Sequence, residues 1–341
     1  AEQFRSSLSG GVYCINLGDL VYNYMTAYDD YIDAAAQIKC PTFNVIGNHD
    51  FDQTTLFDTA LGNMYFETYI NIGRIHFVVV NTIMYDRKKA DARYGYGLDE
   101  RTMRWLENDL SFVPKDRVIV ACSHGQLFKR RGDSPNGSHG ALQRHYKEYR
   151  DLLAQYKEVY SWSGHYHDNF QYNYKGRGEK WGADNIQCIT VSRCTGALRL
   201  NEYLNSNGTP QGYMVVDVDG DDMSWWYKSV GKEKDYQMRV YDPSRDAQGY
   251  VQVNIWNYGD CWSVPEWWVD GQKVADMEYH PCADPDYLET YAKVTNKTTR
   301  KYCAPSESCD IFRVKPAPGC KGGEVRVKDQ FGNEFVSSIT W

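Results

Sequence analysis

Four times in its first half, the chain runs an apolar stretch straight into glycine and a potential metal ligand. The places are "LGDLVY" at 17–22, "IGNHD" at 46–50, "CSHG" at 122–125 and "SGHYH" at 163–167. Each apolar run has the length of a buried strand, and each glycine lets the backbone turn sharply beside a polar side chain. In α/β sheets the crevice beyond the carboxyl ends of the strands is where ligands bind, because side chains from separate strands converge there. Asp19, Asn48, His49, His124, His165 and His167 are therefore expected to meet in one cleft. Alone, a Gly-Asp is usually a turn and a Ser-His usually structural. "GHYH" sets two imidazoles on one side of a strand, and metal binding is the commonest reason for that spacing. Four such strand ends in one domain make coincidence a poor explanation.

The residue types suit a transition metal. Imidazole and carboxylate bind Zn, Mn, Fe or Ni, and an amide oxygen adds a neutral ligand. A carboxylate can bridge two cations, and two cations roughly 3.5–4 Å apart can clamp a phosphate and offset charge on its leaving oxygen. Mixed N/O ligation leaves the identity of the metal open. The other histidines are read as background: His76 inside a strand, His139 in a loop, His145 on a helix and His280 in the second domain.

The first half alternates strands and helices. Strands are expected at 11–19, 42–48, 74–82, 117–124, 159–167 and 186–192, and helices at 29–39, 98–110 and 141–156. Asp99 fits an N-cap, with Met103, Leu106 and Leu110 at helical spacing behind it. The alternation implies a layered α/β domain. "RRGDSPNGSHG" (130–140) reads as a mobile loop and "NEYLNSNGTPQG" (201–212) as a long polar one. Residues 213–231 read as a hairpin around an Asp-Gly turn. From about 240 short strands alternate with Gly/Asp/Pro turns, without a good helix pattern, which fits a small β-sandwich. The expected domains are 1–238 and 239–341.

The chain has 341 residues, 42% of them apolar, enough for a sizeable core, and no apolar run approaches the eighteen residues of a membrane span. Its net charge of −7 argues against a nucleic-acid partner. Among ten cysteines no CxxC pair occurs, so a zinc knuckle is not expected. Cys14, Cys40, Cys122 and Cys188 lie in or beside apolar runs and are expected to be buried. Cys261, Cys282, Cys303, Cys309 and Cys320 crowd the last quarter, where disulfides would form if the protein is exported. Trp225, Trp226, Trp262, Trp267 and Trp268 are read either as core or as an exposed platform for a glycan, with core preferred.

Taken together, Gly18-Asp19, Gly47-Asn48-His49-Asp50, His124 and Gly164-His165-Tyr166-His167 resemble the calcineurin-like metallophosphoesterases over roughly residues 1–230. The stretch from "GTPQGYMVVDVDG" through "VNIWN" is similar, more weakly, to a bacterial subgroup with a dedicated C-terminal β-domain. The resemblance implies an α/β/β/α sandwich followed by a small all-β domain. It also implies two divalent metal ions: Asp19 bridging, Asn48, His124 and His165 completing one site, and His167 belonging to the other. His49 would face the substrate and assist the leaving oxygen, and Asp50 would orient His49 or its loop. The implied reaction is hydrolysis of a phosphate mono- or diester, small or macromolecular, by a metal-bound hydroxide. Export to the periplasm or cell surface is part of the same resemblance.

One motif of that family is absent. No histidine here has aspartate two residues before it, so Asp-x-His and its strand are missing ahead of Asp19, and one metal site is incomplete as written. Three explanations stand: a fragment lacking an upstream piece, which is favoured, a single-metal site, or a catalytically impaired relative that binds glycan or cell envelope. Lys129, Arg130 and Arg131, or Arg193 after a strand, are candidates to meet an anionic substrate, with a solvated basic loop the preferred reading for the first three.

Overall fold

Short, mostly parallel strands carry the four motifs, and their register decides which side chains meet. The computed structural model describes residues 11–22, 25–50, 67–85, 94–126, 144–173, 183–197 and 203–341. Lys129, Arg130, Arg131, His139 and the 130–140 loop lie outside the described residues.

The chain divides into two compact units, one of residues 1–165 with 174–189 and one of 166–173 with 190–341. The units part near residue 190, not at the 238–245 boundary expected from the change of texture.

In the first unit β1 (Cys14–Asn16) and β2 (Thr42–Asn44) form a two-stranded parallel sheet, with Asn16 opposite Asn44. Helix α1 (Tyr28–Ala36) links them. A second sheet runs in the order β3 (Thr68–Ile72), β4 (Ile75–Val80), β7 (Val118–Ser123), β8 (Glu158–Ser163), β10 (Ile186–Thr190). A small hairpin, β5 (Ile83–Tyr85) with β6 (Tyr94–Tyr96), precedes helix α2 (Glu100–Ser111). Helix α3 (Tyr146–Leu153) precedes β8. β4, β7 and β8 are parallel neighbours, with Val80 opposite Ser123 and Ser123 opposite Ser163. Every residue of β4 and β7 is buried, as parallel strands covered on both faces require.

Helix α2 follows its sequence closely. The Asp99 carboxylate accepts from the Thr102 N–H at 2.8 Å, and Met103, Leu106 and Leu110 are buried. His76 is structural: its ring spans Asn71 Oδ1 and Asp109 Oδ2, each at 2.9 Å, tying β4 to α2. Cys122 and Cys188 are buried as expected, whereas Cys14, in the small β1–β2 sheet, and Cys40, beside it, are only half-buried.

The second unit opens with β9 (Phe170–Asn173) and then the expected hairpin, β11 (Gly212–Asp219) with β12 (Asp222–Ser229). Gly220 takes φ +63° at the first turn position, as a two-residue II′ loop needs. β13 (Met238–Tyr241), β14 (Val251–Ile255), β15 (Glu266–Val269), β16 (Gln272–Asp276) and β17 (Glu278–Tyr279) follow. A short bridge joins β18 (Cys282–Ala283) to β19 (Glu307–Ser308), and the chain ends with β20 (Ile311–Val314), β21 (Gly322–Lys328) and β22 (Glu334–Thr340). Two four-stranded sheets result, β13-β14-β20-β17 and β16-β15-β21-β22. Val251, Val253, Trp267, Phe312, Val325 and Phe335, drawn from both sheets, share one core.

This unit departs from the expected texture in two ways. First, it contains helices α4 (Pro285–Ala292) and α5 (Lys297–Tyr302). Neither carries a long apolar stripe. Asp284 and Asn296 cap them by accepting from the Tyr287 and Thr299 N–H groups. Second, the polar loop ahead of the hairpin is internal: Asn205, Asn207 and Thr209 are almost wholly buried. Asn254 Nδ2 donates to Asn207 O and to Asp284 Oδ2, each at 2.9 Å, while the Tyr241 hydroxyl donates to Asp284 Oδ2 at 2.6 Å. At Gly208, φ +83°, a Cβ would lie 2.0 Å from Asp284 Cγ, so only glycine lets the loop come this close. The tryptophans follow the preferred reading as core: Trp225, Trp226 and Trp267 are buried. Of the C-terminal cysteines, Cys261, Cys282 and Cys320 are thiols.

Candidate metal centre

Asp19, Asn48, His124 and His165 come together, and strand register is the reason. β7 and β8 end in the paired residues Ser123 and Ser163, so His124 and Gly164-His165 leave adjacent parallel strands at the same height. β1 and β2 end in paired Asn16 and Asn44, and three residues further each chain carries Asp19 and Gly47.

His124 Nε2 is the centre of the group. Asn48 Oδ1 lies 3.1 Å from it, His165 Nδ1 3.1 Å and Asp19 Oδ2 3.4 Å. The ligand atoms of Asp19, His124 and His165 all lie within 4.8 Å of one another. The other ring nitrogen, Nδ1, donates to the Leu17 carbonyl at 2.8 Å, which leaves Nε2 facing the group. Two oxygens and two imidazole nitrogens around one point suit a divalent transition metal, and the set fits one cation.

The backbone is bent to make this possible. Gly18 has φ +96°, and Asp19, His165 and His167 take left-handed φ of 56°, 65° and 68°. Non-glycine residues enter that region at a cost of roughly 1–3 kcal/mol each, and such outliers gather at functional sites. Gly47 has no room for a side chain, since a Cβ would sit 2.2 Å from both Asp19 N and Asp19 Oδ1.

Asp50, fully buried, locks the two loops together. Its carboxylate accepts from the N–H groups of Asp19 at 2.9 Å, Val21 at 3.2 Å and Gly47 at 2.7 Å, and its Oδ1 lies 3.2 Å from the Tyr28 hydroxyl. Burial drives its pKa up to about 6, against the pull of the Gly47 N–H. Asp50 does not hydrogen-bond the His49 ring; it shapes the loop that carries it. Asp19 behaves in the opposite way. Burial raises its pKa, but the hydrogen bond and charge of His124, with the His49 N–H at 2.8 Å, overcome this and bring it to about 2. A carboxylate held ionised among imidazoles is the form a cation needs. Burial also opposes the charged form of His124, yet its bond to Asp19 outweighs this and raises its pKa.

His49 is not among the three residues whose ligand atoms gather. It is half-buried, and the Tyr22 ring stacks on it with centroids 4.4 Å apart. Burial lowers its pKa, against the pull of the Asp19 charge. Among the described residues the metal-binding group is Asp19, His124 and His165, with Asn48 beside them; His167, expected at the second cation, belongs to the other compact unit. Arg193 is half-buried in the second unit. Two aromatic neighbours escaped the sequence reading. Tyr96 sets its ring 4.9 Å from that of His165, and Tyr22 sits on His49. Tyr22 lies inside the "LGDLVY" motif, where its spacing from Asp19 could have drawn attention; Tyr96, from a separate hairpin, left no local signal.

The C terminal of calcineurin-like phosphoesterase matches this chain at residues 199–335. No curated protein sequence matches it.

Proposed function

We propose that this chain, which belongs to the calcineurin-like phosphoesterases through the domain at residues 199–335, is a metal-dependent hydrolase of phosphate esters. The observation that carries the reading is the convergence of Asn48 Oδ1, Asp19 Oδ2 and His165 Nδ1 on His124 Nε2. Asp19, Asn48, His124 and His165 would hold a divalent cation. When bound, it supplies charge to the phosphate oxygens and lowers the pKa of water. The Leu17 carbonyl fixes the His124 tautomer and Asp50 fixes the two loops, so the chain's own groups meet the substrate without rearranging. His49 then donates a ring N–H toward the leaving oxygen as charge develops there. No serine or cysteine nucleophile is needed.

The resemblance proposes a second cation bound through His167 and a layered sandwich ahead of a mainly β C-terminal domain. A single-metal enzyme is the second reading, since among the described residues one group of metal ligands gathers, Asp19, His124 and His165. Export is proposed on the same resemblance; no described helix is long and apolar enough to cross a membrane.

The test is phosphate release from aryl and alkyl phosphate mono- and diesters by protein loaded with Mn, Zn, Fe or Ni, with metal counted on the same sample. His49→Ala should lower kcat by about 10²–10⁴-fold while keeping its metal, and Asn48→Ala should lose metal and activity together. Full activity in both variants would refute the site.

A further inference from the structure

We propose that Tyr22 is a positioning residue for His49, setting the angle at which the imidazole meets the leaving oxygen. The inference rests on the phosphoesterase reading and adds a group that the metal centre does not contain. The two rings lie 28° from parallel with centroids 4.4 Å apart, a stacked arrangement. Yet 45% of Tyr22 is exposed. A tyrosine drawn in by core packing would be covered, so the burial of the ring does not explain where it sits. What fixes it is the backbone. The Val21 N–H donates to Asp50 Oδ1, and the Gly47 N–H donates to Asp50 Oδ2. One buried carboxylate thus holds the residue before Tyr22 and the turn that carries His49. The imidazole is itself tied at its backbone, where its N–H donates to Asp19 Oδ1 at 2.8 Å. With the backbone held there, a ring stacked on the imidazole limits how far it can rotate.

An imidazole that assists a leaving group must be aimed within a narrow angle, and loss of aim costs rate without loss of binding. Its effect is largest where the leaving oxygen is most basic, because that oxygen needs the proton or the charge most.

The experiment is a leaving-group series. Metal-loaded wild type, Tyr22→Phe, Tyr22→Leu and His49→Ala are assayed on aryl phosphates spanning good to poor leaving groups, with metal content measured for each. Tyr22→Phe keeps the stacked ring and should match wild type. Tyr22→Leu should slow kcat about tenfold on the poorest leaving groups and only about twofold on the best, with KM and metal content unchanged. His49→Ala should steepen the dependence in the same direction and further. Equal slowing across the series, or none, overturns the positioning role. Loss of metal in both Tyr22 variants overturns it differently, by making the hydroxyl a ligand. If wild type hydrolyses none of the esters, or His49→Ala keeps the wild-type dependence, the reading of the site itself fails, and Tyr22 with it.

Discussion

Gly47 shows how little slack the site has. Its missing side chain leaves room for the Asp19 carboxylate and amide, which a Cβ would meet at 2.2 Å. Gly47→Ala should therefore lose metal and displace the 18–22 loop. Gly220 is the control. Nothing lies within 4 Å of its Cβ position, so Gly220→Ala carries only the strain of φ +63°, about 1 kcal/mol, and should keep full metal content. Metal analysis and urea unfolding of the two variants separate lost space from lost conformational freedom. The residues of the centre were legible because glycine, amide, imidazole and carboxylate follow apolar runs in a fixed order. His167 obeys the same local rule as His165, and the resemblance assigns it to a different cation. A spacing of two places both on one side of an ideal strand, but both residues take left-handed φ, so the strand geometry behind the inference does not hold there.

Among the elements, helix α2 was legible to its cap because Asp99 and three apolar positions satisfy local requirements. Helices α4 and α5 were not, since their caps are local but their docking is not. Asp284 illustrates the difference. It caps α4 and at the same time accepts from Tyr241 and Asn254, residues thirty or more positions away. Burial raises its pKa above the ordinary carboxylate value of 3.8, more than these hydrogen bonds lower it. A group whose folded pKa is raised favours folding below its unfolded pKa and gives that contribution up as pH rises through the folded value. The wild type should therefore lose stability relative to Asp284→Asn as pH climbs from below 4 toward neutrality. Urea midpoints of the two proteins at a series of pH values measure this. A gap that widens in the wild type's favour would refute the assignment.

For the whole molecule, cation binding should act as a stability switch. A ligand that binds only the folded form stabilises it by about 2.7 kcal/mol at a hundred times its Kd. Adding the preferred metal should raise Tm, a chelator should reverse the rise, and His124→Ala should abolish it. The shift must also shrink as pH falls, because protons compete with the cation for His124 and His165. His124, with its pKa raised by Asp19, enters that competition at a higher pH than an ordinary histidine.

The sequence by itself determined the chemistry of the centre and the alternating half that carries it. Strand ends, turns and caps are written in neighbouring residues, and neighbouring residues are what a sequence shows. Only the tertiary structure decided the rest. Parallel register put His124 and His165 at one height. The Asp50 carboxylate joined the two loops, and a polar loop went inside because Asn207, Asn254 and Asp284 satisfy one another there. Tyr22 came to rest on His49. Each of these depends on partners far apart in the chain, and a buried polar group is tolerated only when such a partner arrives.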